Sequence, residues 1–217
     1  RRFAKSNVEV YFEMTALHSA IFRNGANSEA AIKILIENGA APNFVSKDSM
    51  TAIDHALRKN RGRPLLEFLI ENGGSPELVN LKWAGSDLAI IEFLIDKGAS
   101  PRTVNVDAFL TVKRGRSQFQ NFLKILEYDV NPQTAHPLRI LDGTSKFKKE
   151  MLDKLLEKGL NLNEPVQGFD NVFWLEYAIT NTYNDVFLKY LLEKGAWRCK
   201  KGIHPYACLL YTSPSPR

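Results

Sequence analysis

Apolar residues recur at helical spacing in one short phrase that the chain writes six times. In residues 31–43, AIKILIENGAAPN, the side chains Ile32, Leu35 and Ile36 share a helix face, and Lys33, Glu37 and Asn38 lie mostly off it. Gly39 follows, where a residue with positive φ closes a helix cheaply, and Pro42 forbids its resumption. The phrase returns as LLEFLIENGGSPE (65–77), IIEFLIDKGASPR (90–102), FLKILEYDVNPQ (122–133), MLDKLLEKGLNLN (151–163) and FLKYLLEKGAWRC (187–199). Its stops fall at Gly39, Gly73, Gly98, Asp129, Gly159 and Gly195, giving steps of 34, 25, 31, 30 and 36 residues. A helix of this length cannot bury its own stripe; it needs a partner helix and a neighbouring copy.

The partner helix lies upstream, as TALHSAI (15–21), TAIDHAL (51–57) and FWLEYAI (173–179). The line T-A-L-H-x-A, followed by a helix ending L-I-E-N-G-A-x-P-N, resembles the ankyrin repeat, which reads T-P-L-H-x-A then L-L-x-x-G-A-x-x-N at a period of about 33 residues. The resemblance covers residues 11–207 and degenerates between 79 and 143. It implies an all-α, ankyrin-type helix-turn-helix solenoid of about six degenerate repeats.

On this reading residues 1–12 are a lead-in or the end of a preceding repeat. The array occupies 13–207, divided as 13–47, 48–79, 80–102, 103–133, 134–166 and 167–201, with a further copy opening at 202–207. The first inner and outer helices are expected at 16–23 and 28–38, with Asn27 or Ser28 as cap. Pro64 is placed at the start of the second outer helix. The third copy is short: 81–84 reads as a truncated inner turn with Trp83 filling the missing helix's space, and Ser86 or Asp87 caps an outer helix over 88–97. The later pairs are expected at 106–113 with 118–128, 138–141 with 146–158, and 173–181 with 185–194. Asp129 is expected to take the left-handed conformation in place of glycine. The third copy is the expected weak joint, since a poor unit weakens both of its interfaces. The tail 208–217, CLLYTSPSPR, breaks the pattern and reads as one translated frame of a sequencing-library adapter. It is expected to be non-native, and the chain, which opens without Met, a fragment of a longer one.

Composition is that of a globular chain, 44% hydrophobic and 24% charged. No run approaches the length of a membrane span, and no signal-peptide pattern opens the sequence. Cys199 and Cys208 make no disulfide framework, so a reducing, cytoplasmic setting is the default expectation. The net charge of +5 permits an acidic partner.

Catalytic signatures are missing: there is no G-x-G-x-x-G, G-x-x-x-x-G-K-[ST], H-E-x-x-H or G-x-S-x-G. His18, His55, His136 and His204 are dispersed, without metal-ligand spacing. The expectation is therefore a non-enzyme with no cofactor and no metal. His18 falls where the resemblance implies a histidine bonded to the turn backbone. His55, one place later, is expected to point toward the concave face. Basic residues cluster after the inner helices: Arg23 in the first copy, Arg58, Lys59, Arg61 and Arg63 in the second, Lys113, Arg114 and Arg116 in the fourth. They either complement helix dipoles or stack into a stripe for an anionic partner. Arg114-Gly115-Arg116-Ser117 also resembles a basophilic kinase site.

The resemblance implies protein binding on the concave face. Carried over position by position, the contacts are Ser19, Phe22 and Arg23; His55, Arg58 and Lys59; and Tyr177, Thr180 and Asn181. Lys113 and Arg114 are added from the basic cluster. The partner is another protein, with no small-molecule substrate. Two other readings stay open: the recognition arm of a larger enzyme or receptor outside the fragment, or a basic scaffold for nucleic acid or anionic lipid.

Overall fold

The computed structural model describes residues 9–10, 14–23, 25, 27–110, 116–141, 146–168, 172–181 and 185–198. These are mostly helical. The α-helices are α1 (Ala16–Arg23), α2 (Ser28–Glu37), α3 (Ala52–Arg58), α4 (Arg63–Glu71), α5 (Leu88–Asp96), α6 (Arg116–Ile125), α7 (Pro137–Leu141), α8 (Lys146–Glu157), α9 (Trp174–Asn181) and α10 (Asp185–Glu193). A two-residue antiparallel pair, β1 (Glu9–Val10) and β2 (Met14–Thr15), sets Glu9 opposite Thr15. The chain divides into two compact units, Arg1–Val104 and Asn105–Arg217.

In the first unit, α1 packs on α2 and α3, and α3 packs on α4. Leu17, Ile21, Ile32, Ile53, Ala56, Leu66 and Leu69 fill the core between them. α3 begins with a reciprocal cap: Thr51 Oγ1 accepts from the Asp54 N–H and the Asp54 carboxylate accepts from the Thr51 N–H. α2 has no such cap, for the Asn27 side chain makes no capping bond and Ser28 instead meets Arg61 Nη2 at 2.7 Å. α4 is capped by Asn72 and followed by Gly73, with φ of 92°. The next residue must also be glycine, because a Cβ on Gly74 would sit 2.8 Å from the Leu69 carbonyl oxygen.

The third inner element is a 3₁₀ turn, Leu81–Ala84, packed against α3 and α5. Leu81 is the buried side chain of this turn, whereas Trp83 is half-buried at its edge. The expectation that Trp83 fills the missing helix's space is therefore corrected: four residues in 3₁₀ geometry suffice to deliver Leu81 into the core. Asp87 caps α5 by accepting from the Ile90 N–H at 3.2 Å.

In the second unit the first inner element is another 3₁₀ turn, Val106–Phe109, shorter than the helix expected over 106–113; residues 111–115 lie outside the described ones. Val106, Phe109 and Leu110 are buried, and the turn packs against α6. α6 stops without a left-handed residue at Asp129, contrary to expectation. Among the described residues other than glycine, only Ser49 and Asn60 have positive φ. The Glu127 N–H to Lys124 and Tyr128 N–H to Ile125 carbonyl bonds tighten the end of α6 instead. α7 packs on α8 and α9, and α9 on α10, around Met151, Leu155, Trp174 and Leu191.

Side-chain tethers tie segments 22 to 34 residues apart within each unit, and they recur in kind. In the first, Asn80 N–H donates to Asp54 at 2.8 Å, and Leu81 N–H to Thr103 Oγ1 at 2.9 Å. The Asn43 amide donates to the Gly73 carbonyl and accepts from Ser75 N–H, both at 2.7 Å. In the second, His136 N–H donates to Asp107 at 3.1 Å, and Val106 N–H to Thr134 Oγ1 at 2.9 Å. The Asn163 amide meets the Gly195 carbonyl and Trp197 N–H, both at 2.9 Å.

Candidate functional site

The burial of α3 decides what its neighbourhood can present. Residues 52–57 are all buried, so only the helix end, at Arg58, emerges. α1 buries Leu17, His18 and Ile21 and leaves Ser19 half-exposed, with Phe22 and Arg23 exposed. The ends of these two packed helices lie side by side. Lys59 Nζ stands 3.5 Å from the Phe22 ring centroid. Arg58 Cζ is 5.4 Å from the Trp83 ring, and Lys82 Nζ approaches the same ring at 4.7 Å. The result is a strip within the first unit, Phe22–Lys59–Arg58–Trp83–Lys82, in which each of three cations lies against one of two aromatic faces. Such contacts hold the cations in place without neutralising them. Asp48 stands at its edge, 3.6 Å from Arg58 Nη1.

His55 is not part of this surface, which corrects the expectation that it points toward a concave binding face. It is 0% exposed, with Nε2 3.2 Å from Ser46 Oγ and 3.6 Å from Asp48 Oδ1. The cause is the loop before α3. Ser46 bonds Met50 through backbone and side chain, Ser49 adopts φ of 58°, and the folded loop covers the ring. His18 lies 4.9 Å away, ring to ring, with Nδ1 3.0 Å from Thr15 Oγ1. Burial, reinforced by the His55 ring, lowers the His18 pKa to about 4, while the Phe44 backbone and Asp48 oppose the shift. Burial lowers that of His55 too, against the pull of Asp48. Both rings are thus neutral core groups near neutral pH.

Of the remaining sequence-derived positions, those described lie on α9 in the second unit. Tyr177 is half-buried and meets His136 edge-on at 5.2 Å. Thr180 is exposed and donates to the Glu176 carbonyl at 2.9 Å. Asn181 ends α9, but its side chain, like Lys113, Arg114 and Cys199, lies outside the described residues. Trp83 and Lys82 were missed. The sequence carried a signal for them, an indole beside a lysine in a turn too short to be a helix.

Other basic groups serve packing. Arg63 Cζ lies 4.4 Å from the Phe93 ring, and Lys149 and Lys194 approach the Tyr190 ring at 5.0 and 5.2 Å. A groove of about 460 Å³ between α6 and α8 is floored by Leu123 and Leu126, with Glu127, Lys154, Glu157 and Lys158 around it. Lys154 and Glu157 pair there at 2.7 Å. Among the described residues no group of three or more His, Cys, Asp or Glu is placed to hold a metal ion, and no helix is long and apolar enough to cross a membrane. No protein-family model and no curated protein matches the chain.

Proposed function

We propose that the chain is an ankyrin-type repeat stack that binds another protein, non-catalytically, through the exposed ends of its inner helices. The observation that carries this reading is the strip Phe22–Lys59–Arg58–Trp83–Lys82. It is contributed by three successive sequence copies and is already ordered by cation–aromatic contacts. Recurrent tethers at Asp54, Thr103, Asp107 and Thr134 support the stack itself. A rigid strip of this kind limits the entropy lost on binding, and its aromatic and arginine content is that of an interface centre. Its charge fits a partner with an acidic surface.

The test is cross-linked capture from cell extract by the wild-type chain and by a Phe22→Ala/Lys59→Glu/Arg58→Glu variant. A Lys158→Glu variant serves as the control on the second unit. A partner retained by wild type and control but lost with the strip variant supports the reading. Capture unchanged by the strip variant contradicts it. Capture that is nuclease-sensitive and falls steeply with salt supports nucleic-acid binding instead.

A further inference from the structure

Two of the chain's three Asn-Gly pairs, Asn38–Gly39 and Asn72–Gly73, close helices α2 and α4. Asn-Gly is the dipeptide most open to imide chemistry, because glycine puts no side chain in the way of its own nitrogen. We propose that Asn72 is a deamidation site locked by its own helix cap, and that its conversion records an opening of that cap irreversibly.

The reaction has defined parts. The Gly73 backbone nitrogen attacks Cγ of Asn72, an N–C bond forms, the Cγ–Nδ2 bond breaks, and ammonia leaves with the nitrogen's proton. Water then opens the imide at either carbonyl, giving aspartate or isoaspartate. In the folded chain each part is occupied. The attacking nitrogen donates its hydrogen to the Ile70 carbonyl at 3.1 Å. The leaving amide donates to the Phe68 carbonyl at 2.8 Å. Asn72 has ψ of 28°, which holds the Gly73 nitrogen on the far side of the Cα–C bond from Cβ, so the ring cannot close. Asn38 shares this arrangement, with ψ of 18°, its amide 2.7 Å from the Ile34 carbonyl and Gly39 N–H on Ile36.

Around Asn72 there is also an outside clasp, since Asn43 bonds the Gly73 carbonyl and Ser75 N–H on either side of Gly74. Opening must break this clasp, and isoaspartate must prevent its return. The extra backbone methylene displaces Gly73, and Gly74 is held by its N–H bond to the Leu69 carbonyl at 2.8 Å. The new carboxylate also sits at a helix C-terminus, where negative charge is unfavourable.

The experiment follows both sites by peptide mass mapping, with isoaspartate resolved chromatographically. The full chain is held at mildly alkaline pH, with and without denaturing urea. In urea, Asn38 and Asn72 convert at similar rates. Folding slows both by at least about tenfold, because conversion then waits on local opening. Asn43→Ala removes two hydrogen bonds and speeds Asn72 by about tenfold in the folded chain, leaving Asn38 within about twofold. Asn43→Asp keeps the acceptor for Ser75 N–H and loses the donor to Gly73, and gives a smaller acceleration. Equal rates at Asn72 with and without urea overturn the proposal. So does an acceleration by either variant that is the same at both sites.

Discussion

Helix α3 and the 3₁₀ turn Val106–Phe109 solve the same problem with different means. α3 has seven residues, a reciprocal Thr51–Asp54 cap and six consecutive buried positions. The turn has four residues, capped by the Asn105 side chain on the Asp107 N–H, with Val106 and Phe109 as its buried anchors. Its leading N–H has no earlier carbonyl to donate to and is met by Thr134, 28 residues on. Leu81–Ala84 is built alike, with Asn80 as cap and Thr103 as acceptor. The full helix is held mainly by its own burial and cap; the short turns borrow a hydroxyl from a threonine beyond the helix that follows them. A shortened unit need not be a weak one, provided its orphan donors find partners.

The largest effects should come from the anchors. Phe109→Ala is expected to lower stability by about 3–5 kcal/mol, and Ile53→Ala in α3 by about 2–5 kcal/mol, both read from urea unfolding midpoints. A Phe109→Ala cost below about 1 kcal/mol would show that the turn is not anchored by burial. Asp54→Ala removes the α3 cap and the acceptor for Asn80 N–H together, so about 2–4 kcal/mol is expected. Thr103→Val and Thr134→Val each strand one backbone N–H and should cost about 2 kcal/mol.

Acid should act on the full-helix side of the comparison. The folded His18 pKa of about 4 lies below the ordinary 6.5, so the unfolded chain binds the proton more readily. Stability is therefore complete above the ordinary value and falls as pH drops through the window between the two, by about 1–2 kcal/mol at pH 5. His18→Gln should flatten that part of the pH profile, whatever its stability at neutral pH. The smallest effect belongs to the exposed Arg63–Glu67 pair, where Glu67→Ala should change the midpoint by less than about 0.5 kcal/mol.

The sequence located the helices well because local chemistry sets them. Periodicity placed α1 and the start of α2, and Asp87 announced the cap of α5. The tethers were not legible, since each joins a side chain to a backbone group 22 to 34 residues away. Asn43 belonged to the recurring phrase, but nothing local says that its amide reaches Gly73. His55 went wrong for the same reason: its helix position implied the concave face, and the Ser46–Met50 loop that covers it is a tertiary fact. The strip was half legible, through Phe22, Arg58 and Lys59. Trp83 and Lys82 joined it only once the 3₁₀ turn set them beside α3.

Native-state hydrogen exchange at the Leu81 and Val106 amides tests most directly whether borrowed hydroxyls secure the short turns. Protection within about tenfold of the Ala56 and Leu57 amides of α3, lost locally in Thr103→Val at Leu81 and in Thr134→Val at Val106, is the predicted result. Exchange orders of magnitude faster at Leu81 and Val106 in the wild-type chain would contradict it and mark the shortened elements as the weak joints that their length alone implies.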